Sequence, residues 1–201
     1  MRALLIVDIQ NDFLPGGSLA VPKGDEIIPI VNDLQTKFDL VVATQDWHPQ
    51  NHLSFASNHL EQQPFNIIDL FGLTQVLWPD HCVQGSEGAE FSKELESNNI
   101  SAIFRKGMDP KVDSYSGFFD NGHKNNTGLS AYLKGKNIKE VYVCGLAADY
   151  CVYYTAKDAI KEGFRTFYIT DATKAISDNT YSEAIETLKS LNVTFITSKN
   201  I

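Results

Sequence analysis

Residues 140–163, EVYVCGLAADYCVYYTAKDAIKEG, hold a strand, a glycine-containing exit and a helix in one continuous unit. Glu140–Cys144 is largely apolar and β-branched, the composition of a strand buried on both faces. Val152, Thr155, Ala156, Ala159 and Ile160 then recur at the three-to-four spacing of an amphipathic helix, and Gly163 is its natural C-cap. A second strand, Arg165–Ile169, follows directly. Strand, helix and strand in that order predict a right-handed crossover between parallel neighbours.

The same alternation extends in both directions. Ala3–Val7, Leu40–Thr44, Ala102–Phe104 and Val193–Thr197 read as further strands. Ile27, Ile28, Val31, Leu34 and Phe38 form a helical face after Pro22-Lys23-Gly24-Asp25. Leu129 to Leu133 is a shorter one ending at Gly135, and Ala184, Ile185, Leu188 and Leu191 form a last one entered after Ser177-Asp178-Asn179. The pattern predicts an α/β fold: a three-layer sandwich around a central, mostly parallel six-stranded sheet. Residues 1–201 read as one domain. From Trp47 to about Asn99 the rhythm fails, and a connection of that length predicts a pocket-forming insertion.

Composition narrows the class. The 201 residues are 43% hydrophobic and 21% charged, enough for an ordinary core. Seventeen Lys+Arg against 25 Asp+Glu give a net charge of −8, and no basic run offers a footprint for nucleic acid or an anionic membrane. The first apolar run is broken at Asp8, too early for an export signal or a membrane span. With three cysteines and no disulfide framework, a reducing cytoplasm is the expected location. Open sheets of this type often assemble, so a homo-oligomer is compatible with the sequence, although no segment declares an interface.

Four apolar runs hand the backbone over to a reactive side chain: ALLIV to Asp8, LVVATQ to Asp46, AIF to Arg105-Lys106, and VYVCGLAADY to Cys151. Open α/β sheets bind ligands beyond the carboxyl ends of their strands, so these groups are expected in one crevice. Cys151 opens a helix, where the dipole and free N–H groups favour a thiolate and can hold an oxyanion. Its alternative is a buried structural cysteine. That packing role is the expectation for Cys144 inside its strand and for Cys82 beside His81. Asp8, at the end of an apolar run, is poorly solvated and suits a general base. The alternative for such an aspartate is a cap or turn, a local role better suited to Asp12. Lys106 would bring a cation to both Asp8 and Cys151, although a lone lysine after a strand is usually just solvated.

Asp46 and His48, in QDWHPQNH, share a face if the chain is extended, and His81 lies in WPDHC. One oxygen and two nitrogens with open positions beside them suit a divalent ion, Zn²⁺, Fe²⁺ or Mn²⁺. His52 is a candidate fourth ligand or a support for the other three, while His59 and His123 lie in polar stretches and are expected at the surface. Phe13, Trp78 and Tyr115 flank these groups in sequence and could hold a flat ring, or simply fill the core. The residues alone support a metal-assisted cysteine hydrolase. A papain-like Cys-His pair lacks its local signatures, and a non-catalytic ligand-binding domain is the rival of a different class.

The stretches DIQNDF, QDWHPQNHLSFAS, WPDHCVQGSEGAEF, FRKGMDPKVDSYSGFFDN and VCGLAADYCV, in that order from Ala3 to about Asp171, resemble the nicotinamidase branch of the isochorismatase-like cysteine hydrolases. The resemblance implies that Asp8, Lys106 and Cys151 are a catalytic triad and that Asp46, His48 and His81 are metal ligands. It implies that Phe13, Trp78 and Tyr115 enclose a pyridine ring, and that Ala147 and Cys151 supply oxyanion N–H groups. A cis peptide between Leu146 and Ala147 is expected on the same ground. The activity implied is hydrolysis of nicotinamide to nicotinate and ammonia, a salvage step toward NAD. Related amidases on the scaffold, acting on N-carbamoylsarcosine or a ureido acid, are the nearest alternative.

Overall fold

β1 (Arg2–Val7) shows how the layers arise. Leu4 and Ile6 enter one apolar cluster and Ala3, Leu5 and Val7 another, and all five are fully buried. Alternating side chains with no polar face require cover on both sides of the strand. The computed structural model describes residues 1–201 and supplies that cover. After β1 come α1 (Ile28–Gln35), β2 (Leu40–Asp46), β3 (Ile67–Leu70), β4 (Leu73–Val76), β5 (Ala102–Lys106), α2 (Leu129–Gly135) and β6 (Glu140–Gly145). α3 (Cys151–Lys161), β7 (Arg165–Thr173), α4 (Asp178–Ser190) and β8 (Thr194–Ile196) complete the chain.

The main sheet has six strands in the order β5-β2-β1-β6-β7-β8, and every neighbouring pair is parallel. Ile28, Val31 and Leu34 of α1 pack on the face of Leu4 and Ile6. Leu129 and Leu133 of α2, Val152, Ala156 and Ala159 of α3, and Leu188 of α4 cover the opposite face. All six strands and four helices expected from the sequence are present. α1 is shorter than its apolar face, being led in by a 3₁₀ turn at Gly24–Ile27, and Phe38 lies beyond it against Tyr142, ring centroids 4.9 Å apart. No helix is long and apolar enough to cross a membrane.

From β1 the chain moves one way to β2 and β5, and from β6 the other way to β7 and β8. The gap between β1 and β6 at their carboxyl ends is therefore a topological switch point, the usual ligand position in such sheets. Gly145 makes the close approach there: its φ is +114°, and a Cβ on it would overlap the Val7 carbonyl.

Two features depart from the expected layout. β2 runs on to Asp46 and β5 to Lys106, so the reactive residues are the last rungs of the ladder rather than positions after it. The 47–99 segment also contains an antiparallel hairpin, β3–β4, turned at Phe71-Gly72 with φ of +55° and +84°. Positive φ at both central residues is the geometry of a type I′ turn.

Candidate active site

Lys106 is the centre of the cluster. Its ammonium lies 2.6 Å from Asp46 Oδ1, 2.9 Å from Asp8 Oδ2 and 3.3 Å from Cys151 Sγ, and it donates to the Ser114 carbonyl at 2.9 Å. The register explains this: β2 and β5 pair Asp46 with Lys106, while β1 ends one residue before Asp8. Asp8 has φ of +47°, so the chain turns away as soon as its carboxylate is delivered. Lys106 is buried, although a lysine after a strand is usually solvated; the two carboxylates make that burial tolerable.

Burial pushes the Asp8 carboxyl above its ordinary pKa, against the pull of Lys106 and with the help of Asp46. Burial opposes the Asp46 charge as well, but Lys106 and His48 outweigh it and hold that carboxylate well below the usual range. Lys106 is desolvated too, yet Asp46 and Asp8 keep it firmly cationic. For Cys151, burial raises the thiol well above its normal value and Lys106 offsets only part of that rise. A resting thiolate, the expectation from the helix N-terminus, gives way to a neutral thiol beside a carboxylate able to take its proton.

His48 Nε2 lies 3.5 Å and His81 Nε2 3.9 Å from Asp46 Oδ2, and ligand atoms of the three residues fall within 4.8 Å of one another. His48 Nδ1 donates to Gly107 O at 2.9 Å and His81 Nδ1 donates to Pro79 O at 2.8 Å. A carbonyl can only accept, so both protons sit on Nδ1 and both Nε2 lone pairs face inward. His48 Nε2 is buried with no hydrogen-bond partner. Burial holds His81 neutral, with a pKa near 4, whereas Asp46 raises His48 despite its burial. Two oriented imidazoles, a carboxylate and an orphaned buried nitrogen fit a divalent ion.

His52 is also buried, 4.4 Å from His48 between ring centroids. Its Nδ1 meets the Ser54 hydroxyl at 2.7 Å and the Ser54 N–H at 3.1 Å, and its Nε2 is buried with no hydrogen-bond partner, as that of His48 is. His123 is exposed, as expected, and sits 3.7 Å from Asp158. His59 is partly exposed and donates to Leu53 O at 2.8 Å, tying the insertion together. Cys82 and Cys144 are fully buried, in keeping with packing roles.

Phe13, Trp78 and Tyr115 are all buried near these groups. Phe13 lies against His81 at 5.5 Å, and Trp78 meets Tyr115 at 6.2 Å, with its indole N–H donating to the Tyr115 hydroxyl. The Leu146–Ala147 peptide is cis. The N–H groups of Ala147 and Cys151 donate to no backbone carbonyl, which leaves both donors free. Tyr150, not singled out in the sequence, packs on Trp78 at 4.8 Å.

Other residues escaped the sequence reading. Thr44 donates to Asp8 Oδ1 at 2.6 Å, and its position two residues before Asp46 on one strand was a usable signal. Asp113 is a buried carboxylate within the 4.8 Å grouping of His48 and His52, and accepts from Gln75 at 3.1 Å. Nothing local in KVDSYSG marks it.

The isochorismatase domain model matches residues 2–200. A nicotinamidase from Acinetobacter baylyi is 49% identical over 200 residues, 99% of this chain and 94% of its own length. The nicotinamidase/pyrazinamidase structure from Acinetobacter baumanii superposes with a TM-score of 0.97 at 48% identity, covering 99% of this chain and 97% of that one. A Pyrococcus horikoshii pyrazinamidase solved in complex with zinc gives a TM-score of 0.80 at 41% identity, covering 98% of each chain. The chain belongs to the isochorismatase family, in its nicotinamidase and pyrazinamidase branch.

Proposed function

We propose that the chain is a metal-dependent cysteine amidohydrolase that converts nicotinamide and water to nicotinate and ammonia, a cytoplasmic step of NAD salvage. One observation carries this reading: a single buried ammonium touches Asp46, Asp8 and Cys151 at 2.6, 2.9 and 3.3 Å, next to an inward-facing Asp-His-His set. The relatives matched over nearly their whole length are nicotinamidases and pyrazinamidases, which directs the substrate toward a heteroaromatic carboxamide. Residues 1–201 act as one domain, with 47–99 as its pocket wall.

Asp46, His48 and His81 would hold one divalent ion, with zinc favoured by the Pyrococcus horikoshii pyrazinamidase. When bound, the ion supplies a Lewis-acid position for a ring nitrogen. His52, whose buried Nε2 also lacks a hydrogen-bond partner, stands beside this set as a fourth ligand or a support for the other three. Phe13, Trp78 and Tyr115 hold the flat ring, which orients the carboxamide toward Cys151.

Asp8 Oδ2 removes the thiol proton, and Sγ attacks the amide carbon. The charge moves to the amide oxygen, which the free N–H groups of Ala147 and Cys151 receive. Asp8 then passes its proton to the nitrogen, the C–N bond breaks, and ammonia leaves a thioester. Water gives a proton to Asp8 and adds to the thioester carbon. The C–S bond breaks, the sulfur recovers the proton held by Asp8, and the acid product releases its carboxyl proton to solvent as nicotinate. A carboxyl with a raised pKa suits this double duty, because it must release its proton as readily as it accepts it. Lys106 remains cationic and balances each anionic stage.

The test is incubation with nicotinamide, measuring ammonia and nicotinate before chelation, after it, and after Zn²⁺ is restored. Activity lost and regained is the expected result. A zinc-loaded protein releasing no ammonia ends the proposal.

A further inference from the structure

β2 continues two residues beyond its last rung with β1. The last β1 rung joins Val7 to Thr44, and at Asp8 the chain enters the left-handed region and departs. Asp46 therefore has a backbone partner on the β5 side and none on the β1 side. The Gln10 side chain fills that place. Its Oε1 accepts the Asp46 N–H at 2.8 Å, and its Nε2 donates to the Asp46 carbonyl at 2.8 Å. A primary carboxamide has the donor and acceptor of a peptide group, so Gln10 adds the missing rung with its side chain. The same Nε2 donates to Ala89 O at 2.8 Å, and Gln10 is fully buried.

Two residues later, Asp12 does comparable work for His81. Its Oδ2 accepts the Cys82 N–H at 2.7 Å, and Oδ1 accepts the Ser18 N–H at 3.3 Å. Cys82 has φ of +46°, a conformation that non-glycine residues seldom hold without support. Its anchored N–H sets the peptide that follows His81. The pocket around Asp12 is closely fitted, because a Cβ on Gly88 would overlap the Asp12 carboxylate. Asp12 thus reaches across the site as well as into its own turn, the local role expected of it.

We propose that Gln10 and Asp12 are positioning residues for the metal centre: Gln10 sets the backbone of Asp46, and Asp12 sets the loop of His81. The segment that delivers Asp8 and Phe13 thereby aligns two of the three ligands as well. This rests on the reading of Asp46, His48 and His81 as ligands.

The experiment measures Zn²⁺ affinity of the full-length protein, without substrate, by competition with a chromophoric chelator, and the visible spectrum of the Co²⁺-loaded form. Wild type should bind one ion and His48→Ala should not; failure here removes the ligand reading itself. Given that result, Gln10→Met and Asp12→Ala should each weaken Zn²⁺ binding by about 10-fold to 100-fold and alter the Co²⁺ bands. Asp12→Asn keeps an acceptor for Cys82 N–H and should return to within about threefold of wild type. If Gln10→Met does not fold, the Asp12 pair decides. Affinities within about twofold of wild type in Gln10→Met and Asp12→Ala, with only the melting temperature lowered, would overturn the proposal.

Discussion

Thr44 Oγ1 donates to Oδ1 of Asp8 at 2.6 Å, and this leaves Oδ2, 2.9 Å from Lys106 Nζ, as the oxygen turned toward the chemistry. The bond stabilises the ionised carboxylate, so it works against the burial that raises the Asp8 pKa. A base must be deprotonated to act, and the acid limb of kcat/KM should therefore lie above the ordinary aspartate value of about 3.9. Thr44→Val removes the donor and should move that limb to still higher pH, by about one pH unit for a bond of ordinary strength. Thr44→Ser should move it back. An unchanged limb in Thr44→Val would remove Asp8 as the group that limits the rate in acid.

Cys151→Ala should lower kcat by at least ~10³-fold, the scale seen when a nucleophile is lost. The circular dichroism spectrum and the zinc content should stay at wild-type levels, because the sulfur belongs to neither the sheet ladder nor the ligand set. Residual ammonia release near the wild-type rate would exclude covalent catalysis through this thiol.

Lys106→Met leaves two buried carboxylates facing each other without their cation. Breaking a buried ion pair from one side costs about 3–5 kcal/mol, which urea denaturation can measure. Lys106 also lowers the Cys151 pKa, so iodoacetamide should alkylate that thiol only at higher pH in the variant. An identical alkylation profile would show that the ammonium does not tune the sulfur.

Gly107→Ala tests the support of His48. The glycine has φ of +67°, and a Cβ there would overlap the imidazole that donates to its carbonyl. The strained backbone alone should cost about 1–3 kcal/mol. Zinc content after dialysis should fall along with stability. Retention of the full zinc content would show that the ring has room to move without losing its ligand geometry.

Much of this molecule is legible in its residues, and the limits follow from physics. The β1, β2 and β6 runs stand out because they are buried on both faces, where little but apolar side chains can go. β2 and β5 extend beyond their apolar runs for the converse reason. Their last rungs carry Asp46 and Lys106, whose burial depends on each other and on nothing visible nearby in sequence. The β3–β4 hairpin escaped because its strands are four residues each, half exposed, and turned by Phe-Gly in place of the usual Asn-Gly. The reactive groups could be named because their chemistry is rare. Gln10 and Asp113 could not, since their roles lie in partners 36 or more residues away, or in a cavity that only the tertiary fold creates.

Cys151 is only 6% exposed, and burial raises its thiol well above the ordinary value, so the sulfur rests as a neutral thiol. Peroxide attacks the anionic form of accessible sulfur. The idle protein should therefore resist the oxidation to sulfenic acid that inactivates exposed, low-pKa cysteines, and be vulnerable only during the brief interval when substrate is bound and the proton has moved.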